Sequence, residues 1–249
     1  MNNHKPIHAL VYGEPHVGKS TFARTFPAPY LVFFFDPYGK DAPYLQLPGT
    51  TIVDEQADDQ GTPRKQVWTE DKKTLISQIE YYQDQDLSGQ CYKNFLDRLV
   101  TLSQEHWWKT LIVDSLTFMQ IKSRMYEKYV LNPGARDPRR LYGGVTDTIE
   151  ETMMIRFGSF PCNVVLVAHT RVIEDEKTKE IKYTINSHGR LVDTMGSGFS
   201  DYLRMYVDRD GNRQVQTLPD WKWTAQSSMG APNPCAPHYE ALFENLKGE

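Results

Sequence analysis

Gly13-Glu14-Pro15-His16-Val17-Gly18-Lys19-Ser20 stands between a short apolar run at residues 8–12 (HALVY) and a run of helical spacing that Pro27 stops. These eight residues fit the pattern G-x-x-x-x-G-K-[ST] in full. Glycines at those places let main-chain N–H groups turn inward around a β-phosphate, and the start of the next helix adds its positive end. Lys19 is placed to reach β- and γ-phosphates, and the Ser20 hydroxyl to ligate Mg²⁺. The binding set implied for ATP and Mg²⁺ is Gly13, Glu14, Pro15, His16, Val17, Gly18, Lys19, Ser20 and Thr21.

Further along, residues 30–35 (YLVFFF), 110–113 (TLIV) and 163–168 (NVVLVA) are continuous apolar runs, as strands buried on both faces require. They end at Asp36-Pro37, Asp114-Ser115 and His169-Thr170. Helical spacing at 74–82, 95–104, 116–129 and 146–157 separates them, while 54–73 reads as a polar, turn-rich connection. A basic loop, NPGARDPRR, lies between the last two helical stretches. Strands alternating with helices predict an α/β fold of the P-loop NTPase type: a mostly parallel sheet flanked by helices. Past residue 170 the pattern changes to hairpins, 171–174 with 181–185 and 201–207 with 214–218, the second around Asp210-Gly211. A Pro-rich stretch at 231–237 precedes a short helix at 238–246. The organisation expected is one domain over 1–249, with its core at about 8–207 and a β-rich extension at 208–249.

Three strand-end residues carry candidate chemistry. Asp114 would hold the Mg²⁺ water shell opposite Ser20, or else cap the following helix. His169 would sense the γ-phosphate, or else be a histidine satisfied by backbone at a strand end. Many ATPases place a glutamate directly after the strand-end Asp, whereas this chain has Ser115, so Asp36 is the first candidate for orienting or deprotonating the attacking water. Its alternative is a turn-forming Asp-Pro step. Lys19, Asp36, Asp114 and His169 form the catalytic set.

Composition excludes other classes. Of 249 residues, 39% are hydrophobic and 24% charged, and no apolar run approaches the roughly 18 residues of a bilayer span. The first residues lack the layout of a secretory signal. Cys91, Cys162 and Cys235 cannot all pair and show no zinc spacing, which suits free thiols in a reducing cytoplasm. With a net charge of −4, any nucleic-acid contact must be a local patch.

With these residues placed, the chain resembles the RecA-type recombinase core, and more narrowly the phage-encoded RecA-like single-strand annealing ATPases of the Sak group, in the phage nucleotide-binding AAA class. The similarity runs from about residue 8 to 223 through WKTLIVDSLT, LYGG, NVVLVAHT and GSGFSDYLRMYV. It implies ATP bound at subunit edges, a possible homo-oligomer, and single-stranded DNA gripped by loops after the later strands. Those loops fall at about 132–140 and 170–190. The first offers Arg136, Arg139 and Arg140 against Asp137, with Tyr142 nearby for stacking; the second offers Arg171, Lys177, Lys179 and Lys182 among several acids. Solvated surface loops are the alternative for both. Where relatives carry basic residues able to reach a neighbour's γ-phosphate, this chain has Lys222. It also has Tyr38 two residues beyond Asp36, where RecA has a glutamate, and His169 in place of the sensor glutamine. The function implied is an ATP-modulated DNA recombination protein of the cytoplasm, a host's if phage-encoded, with a single-strand binding protein as a possible partner. The alternatives are a loader, packaging or assembly ATPase acting on protein, and a P-loop kinase, for which no Arg-rich lid stands out.

Overall fold

The computed structural model describes residues 5–37, 39–47, 49–84, 86, 88–102, 104–105, 107–134, 137–174 and 179–243. Among the described residues eleven strands join in one sheet whose order is β10 (Arg213–Gln216), β9, β1, β7, β6, β2, β5, β4 (Pro63–Thr69) and β3 (Thr50–Ala57), with β8 (Ile181–Ile185) paired to β7 and β11 (Gln226–Ser227) to β9. The central strands are β1 (His8–Gly13), β2 (Tyr30–Phe34), β6 (Thr110–Asp114), β7 (Asn163–Glu174) and β9 (Asp201–Val207). All five pair in parallel, and β5 (Leu75–Tyr81) pairs in parallel with β2. β7 lies between β1 and β6, so the phosphate-loop strand and the Asp114 strand are not neighbours.

Side-chain alternation divides the core in two. Leu10, Tyr12, Phe33, Val113 and Leu166 face a layer built from α3 (Gln90–Leu102), α4 (Leu116–Tyr126) and α5 (Pro138–Glu150). Val11, Val32, Phe34, Ile112 and Val167 face the other way, toward α1 (Lys19–Ala23), α2 (Ala42–Leu45) and α6 (Tyr239–Phe243). On that second face Phe26 packs on Tyr239 and Phe243, with ring centroids 5.0 and 5.9 Å apart, so the C-terminal segment closes over α1.

Several sequence expectations are corrected. Residues 54–73 are not a connection: β3 (Thr50–Ala57) and β4 (Pro63–Thr69) run antiparallel at the sheet edge and extend it beyond β5. Their polar composition hid them, because β4 meets β5 through polar partners, Arg64 opposite Glu80 and Gln66 opposite Gln78. Residues 74–82 form β5 rather than a helix. Glu80 is fully buried there, held by the Arg98 guanidinium at 3.0 Å, and a carboxylate in a core position masks strand periodicity.

α5 begins at Pro138 rather than near Thr146. Asp137 caps it by accepting from the Arg139 N–H at 2.9 Å, Pro138 suits the first turn, and the helix runs through Gly143-Gly144. A Cβ on Gly144 would meet the Glu127 carboxylate, so that glycine serves the packing of α4's extension against α5. β7 likewise passes His169 without a break and becomes the first arm of the hairpin with β8 (Ile181–Ile185). β10 (Arg213–Gln216) begins one residue earlier than its alternation suggested, and α1 stops at Ala23, well short of Pro27. Of the helix expected at 238–246, residues 244–246 lie outside the described set. No helix among the described residues is long and apolar enough to cross a membrane.

Candidate functional site

Strand register builds the site before any side chain is considered. Phe34, Asp114 and Val167 stand side by side across β2, β6 and β7, and His169 stands opposite Gly13. Two residues beyond that first row come Asp36 and His169, with Gly13 beside His169, all where the parallel pairing of the strands ends. Alternation turns Asp36, Asp114 and His169 toward the face shared by Phe34, Ile112 and Val167, which is the α1 face. Three residues distant in sequence thus converge where the phosphate loop starts, the usual ligand edge of an open parallel sheet.

The loop itself curves tightly. His16 and Gly18 take left-handed backbone angles, with φ of 66° and 97°. A Cβ at Gly13 would lie 2.3 Å from the Met205 carbonyl oxygen of β9, so only glycine fits there. Lys19 is buried, and its ammonium donates to the carbonyls of Gly13 at 3.1 Å and Glu14 at 2.7 Å. An ammonium has three donors, so one remains for a ligand. Burial draws Lys19 down to about 8, although Asp114 and Asp36 pull the other way.

Ser20 Oγ donates to Asp114 Oδ2 at 2.6 Å, and the buried Tyr44 hydroxyl donates to the same oxygen at 2.7 Å. Burial, with the charge of Asp36 added, lifts the Asp114 carboxyl to about 6; Ser20, Tyr44 and Lys19 oppose that rise. A hydroxyl and a carboxylate in contact are the hard oxygen donors that Mg²⁺ takes when phosphates and waters complete its shell. Among the described residues no group of three or more His, Cys, Asp or Glu could hold a metal. The donor set fits Mg²⁺ carried with a polyphosphate.

Asp36 is buried, and Ser115 Oγ donates to its Oδ1 at 2.6 Å, while Gln83 Nε2 donates to its main-chain carbonyl. Ser115, at the place where a glutamate was looked for, therefore serves Asp36. The His169 N–H donates to Thr117 Oγ1 at 3.1 Å, and its Nδ1 is buried without a hydrogen-bond partner among the described residues. Burial and the nearby Lys19 charge hold its imidazole below the ordinary histidine range, hence neutral at pH 7.

These groups line one open cavity of about 510 Å³ that includes Lys19, Ser20, Thr21, Asp36, Asp114 and His169. Pro15, His16 and Gly18 of the loop line it too, whereas Glu14 and Val17 face the neighbouring cavity beside Arg204 and Trp223. Five lining residues are outside the set expected from sequence: Gly39, Lys40, Pro43, Val167 and Arg213. Tyr44 is outside that set too. Only the 3.6-residue geometry of a one-turn helix set by Asp41 and Pro43 brings its hydroxyl to Asp114, and no motif marks that helix.

The proposed DNA contacts are scattered differently. Arg139 is exposed on the first turn of α5, and Lys179 and Lys182 are exposed on the β7–β8 side, Lys179 pairing with Glu174 at 3.4 Å. Arg171 turns back instead, donating to the Ser187 carbonyl at 2.7 Å. Tyr142 is 43% exposed and rests on His188, with ring centroids 5.5 Å apart. Tyr38, Arg136, Lys177 and the Arg140 side chain lie outside what is described. Lys222 lies over Trp221, 4.2 Å from the ring centroid, and does not line its own chain's cavity.

An α/β sheet with a phosphate loop, a strand-end carboxylate touching the loop's serine, and an interposed strand defines a P-loop nucleotide-binding protein. The chain belongs to the AAA domain family, whose model matches residues 5–229, a family that is generally one of nucleotide-binding ATPases. A comparison with curated proteins returns no match.

Proposed function

We propose that this chain hydrolyses ATP and uses it to bind and anneal single strands of DNA. The observation that carries the reading is the course of β7. One uninterrupted strand places His169 in the nucleotide cavity and, within five residues, forms the exposed hairpin arm that carries Val172 and pairs with Ile181 and Lys182. A change at the γ-phosphate therefore has a rigid path to the outer surface. Gln120 strengthens that path: its side-chain Oε1 accepts from Ser187 Oγ and the His188 N–H, tying the segment after the hairpin to α4.

In the hydrolytic step, water attacks the γ-phosphorus in line with the bridging oxygen; the new O–P bond forms as the bridge to ADP breaks. Asp36, oriented by Ser115, takes the water's proton. Lys19 neutralises charge on the β- and γ-oxygens, and His169 donates or withholds a hydrogen bond according to whether the γ-phosphate is present. Ser20 and Asp114 would hold Mg²⁺, which when bound supplies further charge neutralisation.

For the DNA, exposed Tyr129, Leu131 and Tyr142 stand near the ends of the α4–α5 helical pair with Lys128 and Arg139, a mixture of stacking surface and positive charge suited to single strands. The test is phosphate release and strand binding by the whole chain, with and without single-stranded DNA. The expected result is strand binding that tightens with Mg·ATP and turnover that rises several-fold with DNA. Turnover indifferent to DNA, with no strand binding in any nucleotide state, would direct the ATPase to a protein partner instead.

A further inference from the structure

We propose that Arg213 is a phosphate-binding residue of its own chain's nucleotide site, acting in cis beside Gly18, so that the chain supplies an arginine to the polyphosphate without help from a neighbour. The inference rests on the nucleotide reading above and deepens it. No motif includes Arg213, which lies almost two hundred residues after the phosphate loop.

Register puts it there. Gly13 of β1 lies opposite Met205 of β9, and Met205 lies opposite Val215 of β10; Arg213 lies opposite Val207, two residues further out. Arg213 shares a strand face with Val215, and Val215 packs with Val11, Val17 and Phe22 on the α1 side. Its side chain therefore overhangs the loop rather than the opposite helical layer. The contact is close: a Cβ built on Gly18 would lie 3.0 Å from Arg213 Cδ and 3.1 Å from Nε. Gly18 belongs to the loop whose main-chain amides, in this motif, cradle the phosphates.

The arginine is also held and unspent. The preceding turn is fixed by Asp208, whose Oδ1 accepts from the Asp210 and Asn212 N–H groups at 3.0 and 2.8 Å. Arg213 itself is exposed and makes no side-chain hydrogen bond or ion pair to a described residue. It lines the cavity with Lys19 and Lys40, three cations against the carboxylates of Asp36 and Asp114. A single excess positive charge does not balance the several negative charges of a nucleoside polyphosphate, but without Arg213 there would be no excess at all. The need is sharper because α1 has only five residues, too few for a full helix dipole to supplement the loop amides. A guanidinium offers two parallel donors to phosphate oxygens, which an ammonium cannot.

The experiment measures Mg·ATP and Mg·ADP binding by calorimetry for the full-length wild type, Arg213→Ala and Arg213→Lys, with thermal melts to check folding. Arg213→Ala should weaken both nucleotides about tenfold with an unchanged melt, and Arg213→Lys should recover part of the loss. A second arm mixes Arg213→Ala with Lys19→Ala chains. If the arginine acts in cis, the mixture regains neither binding nor turnover. Recovery on mixing would mean that a neighbour's Arg213 serves the site, and would overturn the proposal. Wild-type affinity in Arg213→Ala would overturn it alone, leaving the nucleotide site intact; a wild type that binds no nucleotide would overturn both.

Discussion

Asp36 and Ser115 show how a site can keep its chemistry while changing the residue that performs it. Ser115 is a poor proton acceptor, yet its hydroxyl fixes Asp36 from 2.6 Å, so under the proposed function the base stands just after β2 instead of after β6. Asp36→Asn should then lower turnover by about 10²-fold or more while Mg·ATP still binds, since the amide keeps the shape and loses the base. A parallel loss of binding would make Asp36 a structural residue. Lys19 gives a second test. Its folded value, about 8, lies below that of a free lysine, so the ammonium is lost from the free protein as pH rises through 8. Phosphate binding requires the charged form and restores the ordinary value, so binding between about pH 8 and 10 takes up a proton and weakens with rising pH. Calorimetry at pH 8.5 in buffers of different ionisation enthalpy should show that uptake; heats independent of buffer would contradict it. Much of this was legible in the sequence. The loop motif named Lys19 and Ser20, and the three strand-end polar residues could be placed on one face by counting alternate positions back from their apolar runs. Arg213 and Tyr44 were not legible, because the contacts that bring them to the site depend on pairing between distant strands and on a one-turn helix.

At the scale of elements, the sequence misread what polar residues do inside a sheet. The apolar strands β1, β2, β6 and β7 are legible from their own composition, whereas β5 carries a buried ion pair among its core residues Ile79 and Tyr81. Glu80 is wholly buried and Arg98 nearly so, and the guanidinium also spans to Glu105 at 2.5 Å. Glu80→Ala should cost about 3 kcal/mol in denaturant unfolding, because it takes one of two carboxylates from the buried Arg98 and the acceptor from Gln78 and Tyr82; a loss below about 1 kcal/mol would mean that Glu105 alone satisfies the network. Gly89 is the matching case in a turn. It has φ of 78°, and a Cβ there would sit 2.3 Å from the Tyr126 backbone nitrogen where α3 begins beside the end of α4. Gly89→Ala should destabilise by more than about 2 kcal/mol, from left-handed strain and a backbone clash together. Neither effect follows from a hydrophobic pattern, and the buried Glu80 is one reason that 54–82 is hard to recognise as strands from sequence.

For the whole molecule, the sheet sets a division of labour. Its carboxyl edge holds the phosphate-loop groups, β7 carries that edge outward into the β8 hairpin, and α5 brings Tyr142, one turn from Arg139, beside His188 in the segment that follows β8. If single strands bind across this surface, Arg139→Ala with Lys182→Ala should flatten the dependence of log affinity on log salt by about 0.7 for each phosphate no longer neutralised. An unchanged slope would remove these two residues from the interface. The overall arrangement of parallel strands and covering helices was readable from alternating apolar and helical runs; the antiparallel edge was not, since edge strands need little apolar surface.

The claim on which all of this stands is that residues 13–20 capture a nucleotide's phosphates through main-chain amides, one ammonium and Mg²⁺. Titration of the purified chain with Mg·ATP, beside Lys19→Ala, tests it most directly. The expected result is one ATP bound per chain by the wild type and none by the variant. Equal binding by both, or no binding by the wild type with magnesium present, would contradict it.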